Sequence, residues 1–410
     1  MTQSAGSRQQ RVHLAGAPAW LWAAALAIGA VSTAHAADWP HYRGPSHNGA
    51  SVETGWQSRW PAAGPRTAWT AQIGSGYSTV AVVGDRVYAI GNASNRDTVR
   101  CLNATNGDAI WQYAYPAAAG QYSGPRGTPA VEGGRVYTVS RDGLALCLAA
   151  DSGRPVWRVD LYREFRTSGP QWDLGTSPLV HGNLVIYNVG KSGVAVAKDS
   201  GRTAWGSTGT PGYASPVPFT AGGQRGVAIF GASELFAVDP DNGRVLWQHP
   251  WSNRANVNAA DPVFVGDQVF ISSNYEQGCA LLRLRGNRPT VVWENRNMRN
   301  WTNPSVIVDG HLYGNDQNSL RCIDLRTGQA TWTERGMGKG GLIAADGKLI
   351  AITERGELSV ATASPRAHTP TGAMQLPRGS YWSAPVLANG RIYVRSQEGA
   401  LTCLDVRSGA

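Results

Sequence analysis

The chain of 410 residues carries 37 Lys and Arg against 28 Asp and Glu, a formal net charge of +9, and only 16% of its residues are charged. No run of Lys or Arg concentrates the excess, which argues against a nucleic-acid partner and leaves anionic ligands or surfaces as its counterpart. Globular proteins average about 25% charged residues, so this low content, beside 50 Gly and 16 Trp, suits a turn-rich all-β protein.

In chain order, residues 1–36 have the form of a secretory leader. Arg8 and Arg11 give a positive start, Pro18 to Val31 an apolar core, and Ala34-His35-Ala36 an A-x-A cleavage site before Ala37. The apolar core is short for a membrane span of about 20 residues. Neither a twin Arg nor a Cys just after the leader marks folded export or a lipid-bearing N-terminus. The expectation is a periplasmic or secreted mature chain, residues 37–410, with no transmembrane segment and a net charge of +7 once Arg8 and Arg11 are removed.

From Arg66 onward the chain repeats itself. One unit, CLNATNGDAIW at Cys101 to Trp111, returns at Cys147 to Trp157 and in segments ending at Trp205, Trp247 and Trp332, always with Gly four residues before Trp. It reads as a strand, a tight turn and a second strand. A second unit precedes each of these and recurs eight times, from Ser78 to Ile90 through Ser383 to Val394. It reads as a hairpin, because Asp309-Gly310, Asp346-Gly347 and Asn389-Gly390 are pairs that accept positive φ at both turn positions. The Trp markers 69, 111, 157, 205, 247, 293 and 332 are spaced by 42, 46, 48, 42, 46 and 39 residues, periods that indicate a propeller.

Two units make four antiparallel strands, and eight repeats make an eight-bladed β-propeller. The last repeat ends at Ser408-Gly409 without its fourth strand, and Arg66 to Ile73 supplies it from the other end, carrying the unpaired Trp69. Closure of this kind leaves no open edge between first and last blades, and a monomer is expected. The Trp residues are read as spacers between neighbouring blades. Cys101, Cys147, Cys322 and Cys403 occupy one place in four repeats where others have aliphatic residues, so they are read as small buried hydrophobes, not disulfides.

Three connections break the rhythm: Asp160 to Thr176, Trp293 to Asn303, and Ser364 to Leu376, the last without a Trp. Irregular connections in a regular ring are where binding usually resides. Segments that precede the inner strands, and loops between second and third strands, emerge on one face around the channel. They bring Tyr77, Arg126, Lys191, Tyr213, Asn258, Trp301, Lys339, Glu354, Trp382 and Arg395 toward a funnel. Aromatics to stack, Lys and Arg to pair carboxylates and Asn to orient suit a planar anionic ligand. Standard catalytic sets are missing: the six His after the leader show no zinc spacing, there is no G-x-S-x-G or P-loop, and Gly336 to Leu342 leads into a strand, not a helix.

These repeats, with their D-x-x-(S/T/N)-G-x-x-x-W turns and (S/T)-P-V openings, resemble the quinoprotein-like (PQQ-like) eight-bladed propellers over almost the whole mature chain. DWPHYRGPSHNG at Asp38 to Gly49 and YWSAPVLANGRIYVRSQEGALTCLDV near the end resemble secreted bacterial PQQ-binding-like repeat proteins in particular. The resemblance implies one of two functions, since the superfamily holds PQQ-dependent alcohol dehydrogenases and BamB-type outer-membrane assembly scaffolds. On the first, PQQ with calcium would stack on Trp301 or Trp382, pair with Arg126, Lys339 or Arg395, and use Glu354 as calcium ligand or base. On the second, a ligand or an envelope protein partner is held without chemistry. Against the dehydrogenase, the chain has no adjacent Cys pair and its blades are minimal; against the scaffold type, it lacks the lipidated Cys at which BamB-type proteins begin.

Overall fold

The computed structural model describes residues 36–286 and 288–409, so the expected leader lies outside it except for Ala36. Eight sheets follow one another, the first seven with their strands in chain order and the eighth completed by a strand from the other end of the chain. Blade 1 comprises Ala81–Val83, Arg86–Ala93, Arg96–Asn103 and Ala109–Pro116, from inner to outer strand. Blade 8 has Val386–Ala388, Arg391–Arg395 and Ala400–Asp405, and its outer strand is Arg66–Gln72, antiparallel to Ala400–Asp405 with Trp69 opposite Cys403. The ring therefore closes as expected. Among the described residues no helix is long and apolar enough to cross a membrane.

The local chemistry explains the blades. At Asp309-Gly310, Asp346-Gly347 and Asn389-Gly390 both residues have positive φ, 45° to 74°, the geometry that matches the right-handed twist of the flanking strands. In the outer strand the register slips by one residue just before each Trp; Pro155 faces Leu148 and Trp157 faces Cys147. The bulged residue between them turns to solvent, which accounts for exposed Ile110, Val156 and Val292. The Trp then packs inward on the next blade. Its indole N–H donates to a turn carbonyl there: Trp69 to Ala104, Trp111 to Ala150, Trp157 to Lys198 and Trp205 to Pro240, at 2.8 to 3.0 Å. The Gly of that turn lies flat against the ring, at Gly107 for Trp69 and Gly201 for Trp157, so the repeated Gly and Trp belong to one inter-blade contact.

All five cysteines are buried and free. Four of them stand between an aromatic on the second strand and the Trp on the fourth, as Cys101 does between Tyr88 and Trp111. A small apolar side chain is what that position requires, and burial pushes the Cys101 thiol up to about 11. In blade 7 the Trp register position is Gly372, opposite Val360, and the ring of Trp60 lies directly against it. The missing Trp is thus replaced from a distant part of the chain.

That part, residues 37–60, matches no repeat: residues 37–53 form a plug, and residues 58–60 run along the outer strand of blade 7. Trp39 exchanges two 2.8 Å hydrogen bonds with Val82 of blade 1, and Pro40 accepts from Val131 of blade 2. Arg43 Nη2 donates to Ser305 O ahead of the inner strand of blade 6 at 3.0 Å. Ala50–Ser51 adds a parallel strand to Gly341–Ala345, the inner strand of blade 7, and Glu53 accepts from Gly390 N of blade 8. Because inner strands line the channel, a segment bonded to so many blades closes it. Its side chains Trp39 and Arg43 are buried.

Candidate functional site: the aromatic mouth of the channel

The (S/T)-P openings of the repeats have a structural use. Pro has no N–H, so the residue before it offers the last donor of the connection. Thr128 N donates to Ser177 Oγ, Ser177 N to Ser215 Oγ, and Ser215 N to Asp261 Oδ1, at 2.8 to 3.0 Å; Thr79 N, which precedes Val80, makes the same bond to Thr128 Oγ1. Ser383 Oγ donates to Tyr77 O across the seam where the ring closes. Blades 1 to 5 are thus tied in series, and blade 8 to blade 1, by a chain of hydroxyls and the Asp261 carboxylate.

Above this chain opens a cavity of about 230 Å³. Its wall is aromatic: Tyr77, Tyr122, Trp172, Tyr213, Tyr275, Trp301 and Trp382, with Tyr42 of the plug among the lining residues. The rings support one another. Trp172 stacks on Tyr275 at 6.3 Å and 9°, Tyr275 meets Trp301 edge to face at 5.5 Å, and Tyr77 lies 5.4 Å from Trp382.

Two cations enter the wall. Lys339 Nζ lies 3.8 Å from the Trp382 ring centroid and 5.1 Å from that of Trp301. Loss of water lowers its pKa, against the opposing field of Glu354. Arg126 lies over Tyr77 at 5.8 Å and within 3.5 Å of Asp173, and its buried Nη1 has no hydrogen-bond partner. Burial lowers its pKa too. Desolvated cations with spare donors attract an anion more strongly than hydrated ones. Asp261 is the single carboxylate among the described lining residues, and burial raises it to about 7.

Of the ten residues expected in the funnel, Tyr77, Arg126, Tyr213, Trp301, Lys339 and Trp382 line the cavity. The other four stand elsewhere: Lys191, Glu354 and Arg395 lie at the ends of second strands or in the loops after them, outside the inner ring, whereas Asn258 precedes an inner strand but is turned into the backbone. Glu354 buttresses the wall: Oε1 accepts from Trp382 Nε1 at 2.8 Å and Oε2 from Lys339 N at 3.1 Å. Lys191 reaches outward to Glu234 at 2.8 Å. Asn258 is enclosed, its amide spent on the carbonyls of Gly231, Ala232 and Trp251. Arg395 is also enclosed and donates to Ser78, Ile90 and Gly74 carbonyls, tying blade 8 to blade 1. An Asn or Arg at such a loop gives no sign in sequence of whether its donors face ligand or backbone. Tyr42, Tyr122 and Asp261 escaped the sequence reading, the first two because they lie outside the repeat units, the third because it replaces a repeat hydroxyl.

Fold and site define an eight-bladed PQQ-like propeller plugged by its own N-terminal segment and open at an aromatic, cationic mouth. The family model for the outer membrane protein assembly factor BamB matches residues 95–334, and the chain belongs to that family. It is 25% identical over 316 residues to the outer membrane protein assembly factor BamB of Yersinia pestis, covering 73% of this chain and 79% of that one. The Escherichia coli K12 protein of the same name is also 25% identical, over 366 residues, covering 84% and 79%. Among solved structures, BamB from Moraxella catarrhalis superposes with a TM-score of 0.63 at 16% identity, covering 83% of this chain and 99% of that one. The quinohemoprotein alcohol dehydrogenase of Comamonas testosteroni gives 0.68 at 14% identity, covering 91% and 81%. At these identities the structures share the fold alone.

The residues present do not fit a calcium-bound quinone. Both Glu354 oxygens are engaged by Lys339 and Trp382. Asp316, another acid at this face, is bracketed by Arg299 and Arg321 at 2.8 and 2.9 Å. Among the described residues no three of His, Cys, Asp and Glu gather as a metal site, whereas calcium takes six to eight oxygens.

Proposed function

We propose that the protein is an exported scaffold of the cell envelope that binds through the mouth of its channel and performs no chemistry there. Membership of the BamB family supports an interaction role, since its relatives are named as outer membrane assembly factors. The ligand suited to the mouth is a flat or aromatic group bearing a carboxylate, presented by an envelope protein partner or as a small molecule. One observation carries this: Lys339 and Arg126 enter an aromatic wall, and among the described residues Lys339 has no carboxylate within ion-pair distance. Stacking supplies affinity and the cations supply selection for an anion.

Calorimetric titration of residues 37–410 with 2-naphthoate tests the site. Micromolar to millimolar binding that Trp382→Ala weakens supports it; no heat at high protein concentration removes it. Titration with PQQ, with and without calcium, and dye-linked alcohol oxidation form the second arm. Calcium-dependent turnover would replace the scaffold reading with a dehydrogenase. Co-purification of outer-membrane assembly proteins from envelope extract, reduced by the same substitution, would assign the mouth to a protein partner.

A further inference from the structure

The lining of the mouth contains a titratable group that stacking and cation pairing leave unused. Asp261 stands before Pro262 at the start of blade 5, where Thr128 and Ser177 stand before Pro in blades 2 and 3. Its Oδ1 accepts from Ser215 N at 2.8 Å, the bond a hydroxyl makes at the other positions. The ring therefore needs only an acceptor here, and a carboxyl group adds a second oxygen and a proton site beyond that need. Asp261 is 5% exposed, and that sliver of surface belongs to the cavity.

The groups that face it come from several elements. Tyr42 and Arg43 approach from the plug, Ser215 from blade 4, and Lys339, Arg126 and Tyr213 stand in the same lining. Arg43 does not pair with it directly. Its guanidinium donates to the carbonyls of His47, Asn48 and Ser305, at 3.3, 2.6 and 3.0 Å, and lies beyond salt-bridge distance of Asp261. Burial therefore dominates over the field of Arg43, and the carboxyl holds its proton up to about pH 7.

We propose that the mouth takes up its acid-bearing ligand together with one proton, and that Asp261 carries that proton and gives the ligand a hydrogen bond. The inference rests on the reading of the mouth as a carboxylate site. An ionised Asp261 has only acceptor oxygens and repels an incoming carboxylate across a cavity poor in water. A protonated one has an O–H to donate and no charge. Ligand anion and Asp261 anion in one cavity thus each raise the free energy of the other. By linkage, binding above the free-state pKa draws a proton from solvent.

The experiment is calorimetry of residues 37–410 with 2-naphthoate from pH 5.5 to 8.5, in two buffers of different ionisation heat, for the wild type, Asp261→Asn and Asp261→Ser. Asn keeps the shape and an acceptor for Ser215 N, and Ser restores the hydroxyl used in neighbouring blades. For the wild type, affinity should be level below pH 7 and fall about ten-fold per pH unit above it, with about one proton absorbed per ligand at pH 8.5. Both variants should bind with flat pH dependence and no proton uptake. A wild-type slope and proton uptake that persist in Asp261→Asn or Asp261→Ser overturn the assignment to Asp261 while leaving the mouth as the site. Absence of naphthoate binding at every pH overturns the mouth reading and this inference with it.

Discussion

The ammonium of Lys339 rests 3.8 Å from the centre of the Trp382 ring, while Glu354 accepts the N–H of that same indole and the backbone N–H of Lys339 itself. One carboxylate thus aligns platform and cation without neutralising the ammonium by direct contact. Lys339→Met keeps the stem and removes the charge. We expect it to weaken 2-naphthoate about ten-fold or more, the scale of one lost charge-assisted contact, with the melting temperature unchanged. Calorimetry and a thermal scan check both halves.

The contact between Gly107 and Trp69 joins blade 1 to the strand that closes the ring. Gly107 has φ +78°, and a Cβ there would come within 2.7 Å of Trp69 Cδ2. Gly107→Ala meets both a backbone penalty and a steric one, so a loss of about 2 to 4 kcal/mol is expected. Gly133→Ala, at φ +57° with nothing near its Cβ, carries the backbone cost alone. Urea unfolding of the pair separates the two terms.

Burial holds the thiols of Cys101 and Cys147 near 11 and those of Cys279 and Cys403 near 12. A thiolate-selective reagent at pH 8 should label none of the five cysteines in the folded protein and all five in denaturant. Rapid labelling of the native chain would contradict their place inside the blades.

Asp261 ties stability to pH. The unfolded chain releases this proton near pH 4, whereas the folded one keeps it to about pH 7. Folding therefore binds a proton between those values, and this contribution to stability declines as pH rises through the window. The melting temperature of Asp261→Asn relative to wild type should climb between pH 4 and 7 and level off above. His41 and His47, whose pKa values burial lowers, act in the opposite direction in both proteins and cancel in the difference.

Much of the propeller could be read from residues because its signals are local. A turn that needs positive φ selects Asn-Gly or Asp-Gly wherever it occurs, and a Trp that packs on a neighbouring Gly recurs at the blade period. Trp69, left over at one end, pointed to closure, and the pairing of Arg66–Gln72 with Ala400–Asp405 realises it. Four cysteines at one repeat position were legible as core for the same reason. The six cavity residues found in advance all precede inner strands or lie close to them, where topology alone sets the face.

What the residues could not announce is contact between parts of the chain with no common period. Trp60 filling the space at Gly372, and Tyr42 joining Trp382 in one lining, unite positions over 300 apart through a segment that matches no repeat. The direction of a donor was equally hidden. Arg395 and Lys339 are both cations on adjoining blades, yet one is consumed by backbone carbonyls and the other stands over an indole. Local sequence determines strands and turns because their hydrogen bonds and dihedrals are near neighbours. Which side chains then meet in a cavity, and which lose their water there, depends on distances that exist only after the ring has closed.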